Sequence, residues 1–202
     1  MRPAMLTRQD RKGLFKAFEA RVLAGKSKST IYGEYLEEGD ARLVARVLAQ
    51  IPTASRRQRV RHLNWVLLAL LSLLALIKLF VVAITVLAEI PKAFILILIA
   101  PAINLFVIWL VAKYRAVGYL LVIGFGCTGI SKVLEALHKS GESFDVAVNS
   151  ISLVCIVVSM ALAAVIMRKL LPQTTFFMFP KKDASGEPVF EDSEVAECAG
   201  RK

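Results

Sequence analysis

Two histidines and three cysteines are all that this 202-residue chain offers toward metal or thiol chemistry. Cys127, Cys155 and Cys198 form an odd set with no CxxC pair, and two of them stand inside apolar runs. That excludes a disulfide framework and a zinc ribbon. His62 precedes the first long apolar run and His138 follows the third, so they fall on opposite faces of any membrane those runs cross. With no HExxH motif either, a metal enzyme is not expected, and the expected cofactor set is none. Acidic residues are sparse as well, sixteen against twenty-six Lys and Arg, for a net charge of +10. A cleavable signal peptide is not expected, because a charge-rich segment of 62 residues precedes an apolar run too long for an h-region.

Apolar residues fill the gap. Hydrophobic residues make up 56% of the chain and the mean hydropathy is +0.60, above the roughly 45–50% of soluble domains. The excess lies between Leu63 and Met167, in four runs: Leu63 to Leu87, Ala93 to Ala112, Val117 to Ser131 and Val146 to Met167. A hydrocarbon core of about 30 Å needs about 20 helical residues. The third run reaches that length only if its helix continues through Lys132, whose stem can lie in hydrocarbon while its amine reaches the headgroups. The short first and second connections make the first three helices antiparallel neighbours. The expected fold is all-α: a four-helix transmembrane bundle over 63–169, a small cytoplasmic helical subdomain over 1–62, and an interfacial segment with a flexible tail over 170–202.

Basic residues set the orientation, since cytoplasmic flanks carry the excess of Lys and Arg. Arg56, Arg57, Arg59 and Arg61 precede the first run, Lys113 and Arg115 lie after the second, and Arg168 and Lys169 follow the fourth. Both termini are therefore expected in the cytoplasm, in a bacterial inner membrane. Residues 1–62 hold fourteen basic and six acidic residues, most of the net charge. These residues are scattered and their densest cluster abuts a span, so anionic lipid is a better partner than nucleic acid, at about 1 kcal/mol per near-surface cation. Helical spacing of Leu14, Phe15, Phe18 and Val22, a short segment at Ile31, Tyr35 and Leu36, and Leu43, Val44, Val47, Leu48 and Ile51 predicts three helices there, with Asp40 as an N-cap for the third. At about 60 residues such a subdomain is marginal alone. It is expected to dock on lipid, on the bundle, on a second copy or on a partner protein. From Lys181 onward the tail holds six acidic and four basic residues, a balance that would let it fold back on the basic N-terminal region.

Inside the first run stands Lys78. A central lysine costs about 2.5–3.5 kcal/mol, which the seventeen Leu, Ile, Val and Phe residues around it outweigh at roughly 0.3–0.6 kcal/mol each. Counting from the turn near Ile90, Lys78 and Asn104 lie at similar depth, and Pro101 frees the carbonyl of Ile97. One reading has Asn104 and that carbonyl holding the ammonium. The other has Lys78 reaching the surface along a tilted helix. No acidic residue matches its depth, which argues against a proton relay.

Four patterns imitate functional motifs. Gly124, Gly126 and Gly129 spell GxGxxG, but a dinucleotide site needs a βαβ unit. Helix packing fits better, with Gly124 and Thr128 as one small-residue pair and Cys155, Ser159 and Ala163 as the facing seam. LAGKSKST ends like a phosphate-binding loop but carries Ala20 where the first glycine belongs. SRRQ at Ser55–Gln58 resembles a twin-arginine signal, yet positive-inside anchoring accounts for it. Glu135 and His138 on an extension of the third helix could form an acid–base pair, but a solvated charged face is the commoner origin of such a pattern.

Three functions follow in order. The first is a non-enzymatic membrane anchor or regulator with a lipid- or partner-contacting helical module. The second is a channel or transporter component with Lys78, Asn104, Thr128 and Ser159 at a shared cavity. The third is a membrane enzyme using Glu135 and His138.

Overall fold

The computed structural model describes residues 8–35, 41–89, 94–139, 143–175 and 179–190. Leu36, Asp40 and Cys198 lie outside them. Among the described residues the chain is all-helical, with α1 Arg8–Leu23, α2 Lys28–Tyr35, α3 Ala41–Ala49, α4 Ala54–Glu89, α5 Phe94–Ala112, α6 Ala116–Lys139 and α7 Ser143–Leu170. Three helical segments are long and apolar enough to cross a membrane: Ala54–Phe80, Ala116–His138 and Val146–Leu170. The third apolar run does continue through Lys132, within a 24-residue α6. Two compact units divide the chain, one of Met1–Arg59 with Arg168–Lys202 and one of Val60–Met167.

The first unit is built around the apolar faces of α1, α2 and α3. Phe18, Val22, Ile31, Val44, Ala45, Leu48 and Ile51 form its buried core, and Phe190 completes it from beyond α7. Phe18 meets Tyr35 edge-on at 5.0 Å between ring centroids, and Phe190 lies 5.3 Å from Tyr32. The chain leaves α1 through Gly25, whose φ of +92° favours glycine. Ser27 then caps α2, its Oγ accepting from the Thr30 amide at 3.1 Å. GKS is thus a helix stop followed by a helix start. Glu34 accepts hydrogen bonds from Arg21 and Lys26, which ties α2 back to α1 and its exit turn.

From its Gly, Pro and charge, the tail from Lys181 is expected to be flexible, after an interfacial segment that begins at residue 170. Residues 171–175 and 179–190 instead make two successive tight turns, bridged at Thr174–Pro180 and Lys182–Pro188. The Asp183 carboxylate accepts from the Ser185 and Glu187 amides, each at 2.9 Å, and Gly186 turns the chain at φ +86°. Arg46 of α3 lies over the Phe179 ring at 4.5 Å. Turn-forming composition here encodes turns, and aromatic contacts hold them.

In the second unit, α5 and α6 are joined by a tight turn in which Tyr114 takes a φ of 52°. The Arg115 amide donates to the Leu110 carbonyl at 2.9 Å. Gly118 is required just beyond it, because a Cβ there would lie 2.8 Å from the Leu110 Cβ and 2.9 Å from the Val111 nitrogen. Leu67, Val111, Tyr119, Ala163 and Ile166 are fully buried, whereas Leu76, Phe80, Leu105, Trp109 and Val154 are exposed. A surface this apolar suits hydrocarbon as its solvent.

Two outcomes test the first unit. Phe190→Ala should cost it about 3 kcal/mol, the usual loss for a buried Phe, read as roughly a hundredfold faster proteolysis of the α1–α3 region in the full chain; Phe179→Ala, at an exposed ring, should change it far less. Hydrogen bonds from Lys26, then from Arg21, hold the Glu34 carboxyl below its ordinary 4.5. A depressed carboxylate stabilises the fold above its unfolded pKa and loses that contribution as pH falls through its folded value. The thermal midpoint of Glu34→Gln should therefore lie below that of the native protein near neutral pH and converge on it in acid.

Candidate membrane-embedded site

Helical spacing brings one stripe of each helix in the second unit to a common cavity of about 70 Å³. Leu71, Leu74 and Lys78 come from α4, Asn104, Val107 and Ile108 from α5, Val122, Phe125, Gly126 and Gly129 from α6, and Ile156 and Ser159 from α7. The steps along each helix are threes and fours, apart from the adjacent pairs Val107–Ile108 and Phe125–Gly126 that widen the face. Most of the wall is apolar. Three side chains able to donate hydrogen bonds interrupt it: the Lys78 ammonium, the Asn104 amide and the Ser159 hydroxyl.

Ser159 is 2% exposed, and its Oγ has no hydrogen-bond partner among the described residues. Lys78 and Asn104 share the cavity without a hydrogen bond joining them. Both residues thus line one cavity, from α4 and α5, while the expected hydrogen bond between their side chains is not formed. The side chain of Pro101 lies outside the described residues.

No family model matches this chain, and neither a curated protein nor a solved structure matches it. The chemistry of the site rests on its own residues.

Close packing of α6 on α7 shapes the cavity. A Cβ at Gly126 would meet Met160 Cγ and Sδ at 2.4 Å, and one at Gly129 would meet Ile156 Cδ1 at 3.3 Å. On α7, Cys155, Ser159 and Ala163 are all buried. Sequence spacing pairs that seam with Gly124 and Thr128, but both are exposed, and a Cβ at Gly124 would meet open space. Thr128 bonds its own helix through the Phe125 carbonyl at 3.0 Å. Spacing identifies both faces of α6, and the side chains of α7 select the one bearing Gly126 and Gly129. Thr128 consequently does not line the cavity.

A second polar cluster is not evident from spacing. Asn64 of α4 is 2% exposed and donates from Nδ2 to the Val111 carbonyl of α5 at 3.3 Å. Its Oδ1 accepts from the fully buried Tyr119 hydroxyl of α6 at 2.7 Å. One amide thereby joins three helices. The available signal was Asn64 itself, a strong hydrogen-bonding group at the second position of an apolar run.

The arginines ahead of the first run divide. Arg56 donates to the Lys169 carbonyl at 3.0 Å and Arg57 to Glu19 at 2.7 Å, both inside the first unit. Arg59 and Arg61 are exposed. Glu135 and His138 stand on the exposed surface of α6. No group of three or more potential metal ligands occurs among the described residues.

Asn64→Ala should destabilise the α4–α6 packing by about 2 kcal/mol and Tyr119→Phe by about 1 kcal/mol. A double-mutant cycle read by thermal unfolding in detergent should return a coupling of about 1 kcal/mol; additive losses would show that the two groups do not interact.

Proposed function

We propose that this chain is a non-enzymatic membrane protein crossing the bilayer four times, whose bundle anchors a cytoplasmic helical module that contacts anionic lipid or a partner protein. The observation that supports it is the composition of the first unit's core. Phe18, Ile31 and Leu48 precede every apolar run and Phe190 follows them all, yet the four share one core. A core cannot be assembled through a hydrocarbon layer, so its contributors belong to one compartment and the crossings between them are even in number. Three segments meet the length and hydropathy of a span. Helix α5 supplies the fourth: its 19 residues extend about 28 Å at 1.5 Å each and include no charged side chain.

The cytoplasmic assignment follows from charge. Arg59 and Arg61 before the first crossing, Lys113 and Arg115 after the second, and Arg168 and Lys169 after the fourth all fall on one face. A bacterial inner membrane fits this pattern. The exposed cations of the module give it affinity for acidic headgroups at about 1 kcal/mol each. A second copy of the chain is an alternative occupant of the same surface.

A channel or transporter component is the second reading, favoured by the cavity that gathers Lys78, Asn104 and Ser159. Flux in liposomes that disappears in Lys78→Leu, with folding retained, would favour transport over anchoring.

Reporter fusions at the two ends provide the topological test. Both ends should report the cytoplasm, and a fusion in the α4–α5 connection the opposite face. Ends on opposite faces would mean an odd number of crossings and would end the four-span reading.

A further inference from the structure

The cavity joins a cation to an unsatisfied donor. Lys78 forms no ion pair among the described residues, and the Ser159 hydroxyl is buried without a partner there. A hydroxyl left unpaired away from water costs about 1–3 kcal/mol, and an isolated charge in an apolar surrounding costs more. Asn104 adds an amide donor on the same wall. Water could bond to the hydroxyl and the amide, but water would not neutralise an ammonium.

We propose that this cavity binds a small monovalent anion of the halide class, held by the Lys78 ammonium, the Ser159 hydroxyl and the Asn104 amide. Charge sets the valence, since Lys78 is the one charged side chain on the lining and balances one negative charge, while Lys132 of α6 lies near enough to add to the positive potential there. Volume sets the size. About 70 Å³ leaves room for a monatomic anion with water beside it. Multivalent oxyanions are disfavoured on both counts. The inference goes beyond the anchoring role and needs only the cavity formed by α4 to α7. Binding also gives the sequence a use for a lysine that hydrocarbon alone would not favour.

The test is chloride-35 NMR line broadening on the full chain in detergent, with chloride as the probe. Saturable broadening is expected, displaced by bromide and unaffected by gluconate. Lys78→Met should abolish it, Ser159→Ala should weaken the affinity about tenfold, and Lys113→Met, at an exposed turn, should leave it unchanged. Size-exclusion profile and helical circular dichroism check that each variant is folded. If Lys78→Met fails that check, Ser159→Ala decides. No saturable broadening in the native protein, or broadening indifferent to either cavity substitution, overturns the proposal. Binding without liposome flux upholds the site and removes only the transport reading, while the reporter fusions judge the four crossings separately.

Discussion

Phe190 packs among side chains that precede the first apolar run, more than a hundred residues earlier in the chain, and that contact constrains the rest of the molecule. Phe18, Ile31, Leu48 and Phe190 contribute to one buried cluster, so the segments before and after the apolar helices fold as one body. A unit of this size cannot hide enough apolar surface from three short helices alone. Residues 179–190 add an aromatic side chain to its core and a second ring beneath Arg46. If the apolar helices cross a bilayer, the same closure requires the chain to return to the side from which it started. Local packing in the first unit would then restrict the number of crossings.

Within the second unit, packing and polarity act at separate places. Asn64 joins α4, α5 and α6 through buried bonds, where each polar group has a partner and the cost of its burial is offset. At the cavity, glycine on α6 admits Met160 and Ile156 of α7, while Ser159 stays unpaired. Satisfied polar groups fasten helices together, and unsatisfied ones prepare a place for something else. That contrast separates a structural cluster from a candidate site without reference to any relative.

Much of the secondary structure was legible because its signals are local. The spacing of Phe18 and Val22, of Val44 and Leu48, and the continuation of α6 through Lys132 all depend on neighbours within a few residues. Counting outward from one turn was enough to pair Lys78 with Asn104, and both line one cavity. Long-range choices were less visible. Gly124 with Thr128 and Gly126 with Gly129 are alternative faces of one helix, and Met160 and Ile156, on another helix, select between them. Asn64 and Tyr119 stand 55 positions apart. The tail has the composition of a flexible segment, and only the partners of Phe179 and Phe190 reveal its place in the fold.

The most direct measurement of the shared core is crosslinking between its two halves in native membranes. Cysteines at Arg46 and Phe179, exposed positions whose guanidinium and ring lie 4.5 Å apart, would be introduced into a chain whose Cys127, Cys155 and Cys198 are serine, then treated with a short bis-maleimide. The account predicts an efficient intramolecular link formed while the membrane remains intact. Labelling of the two positions from opposite faces, with no link between them, would contradict it.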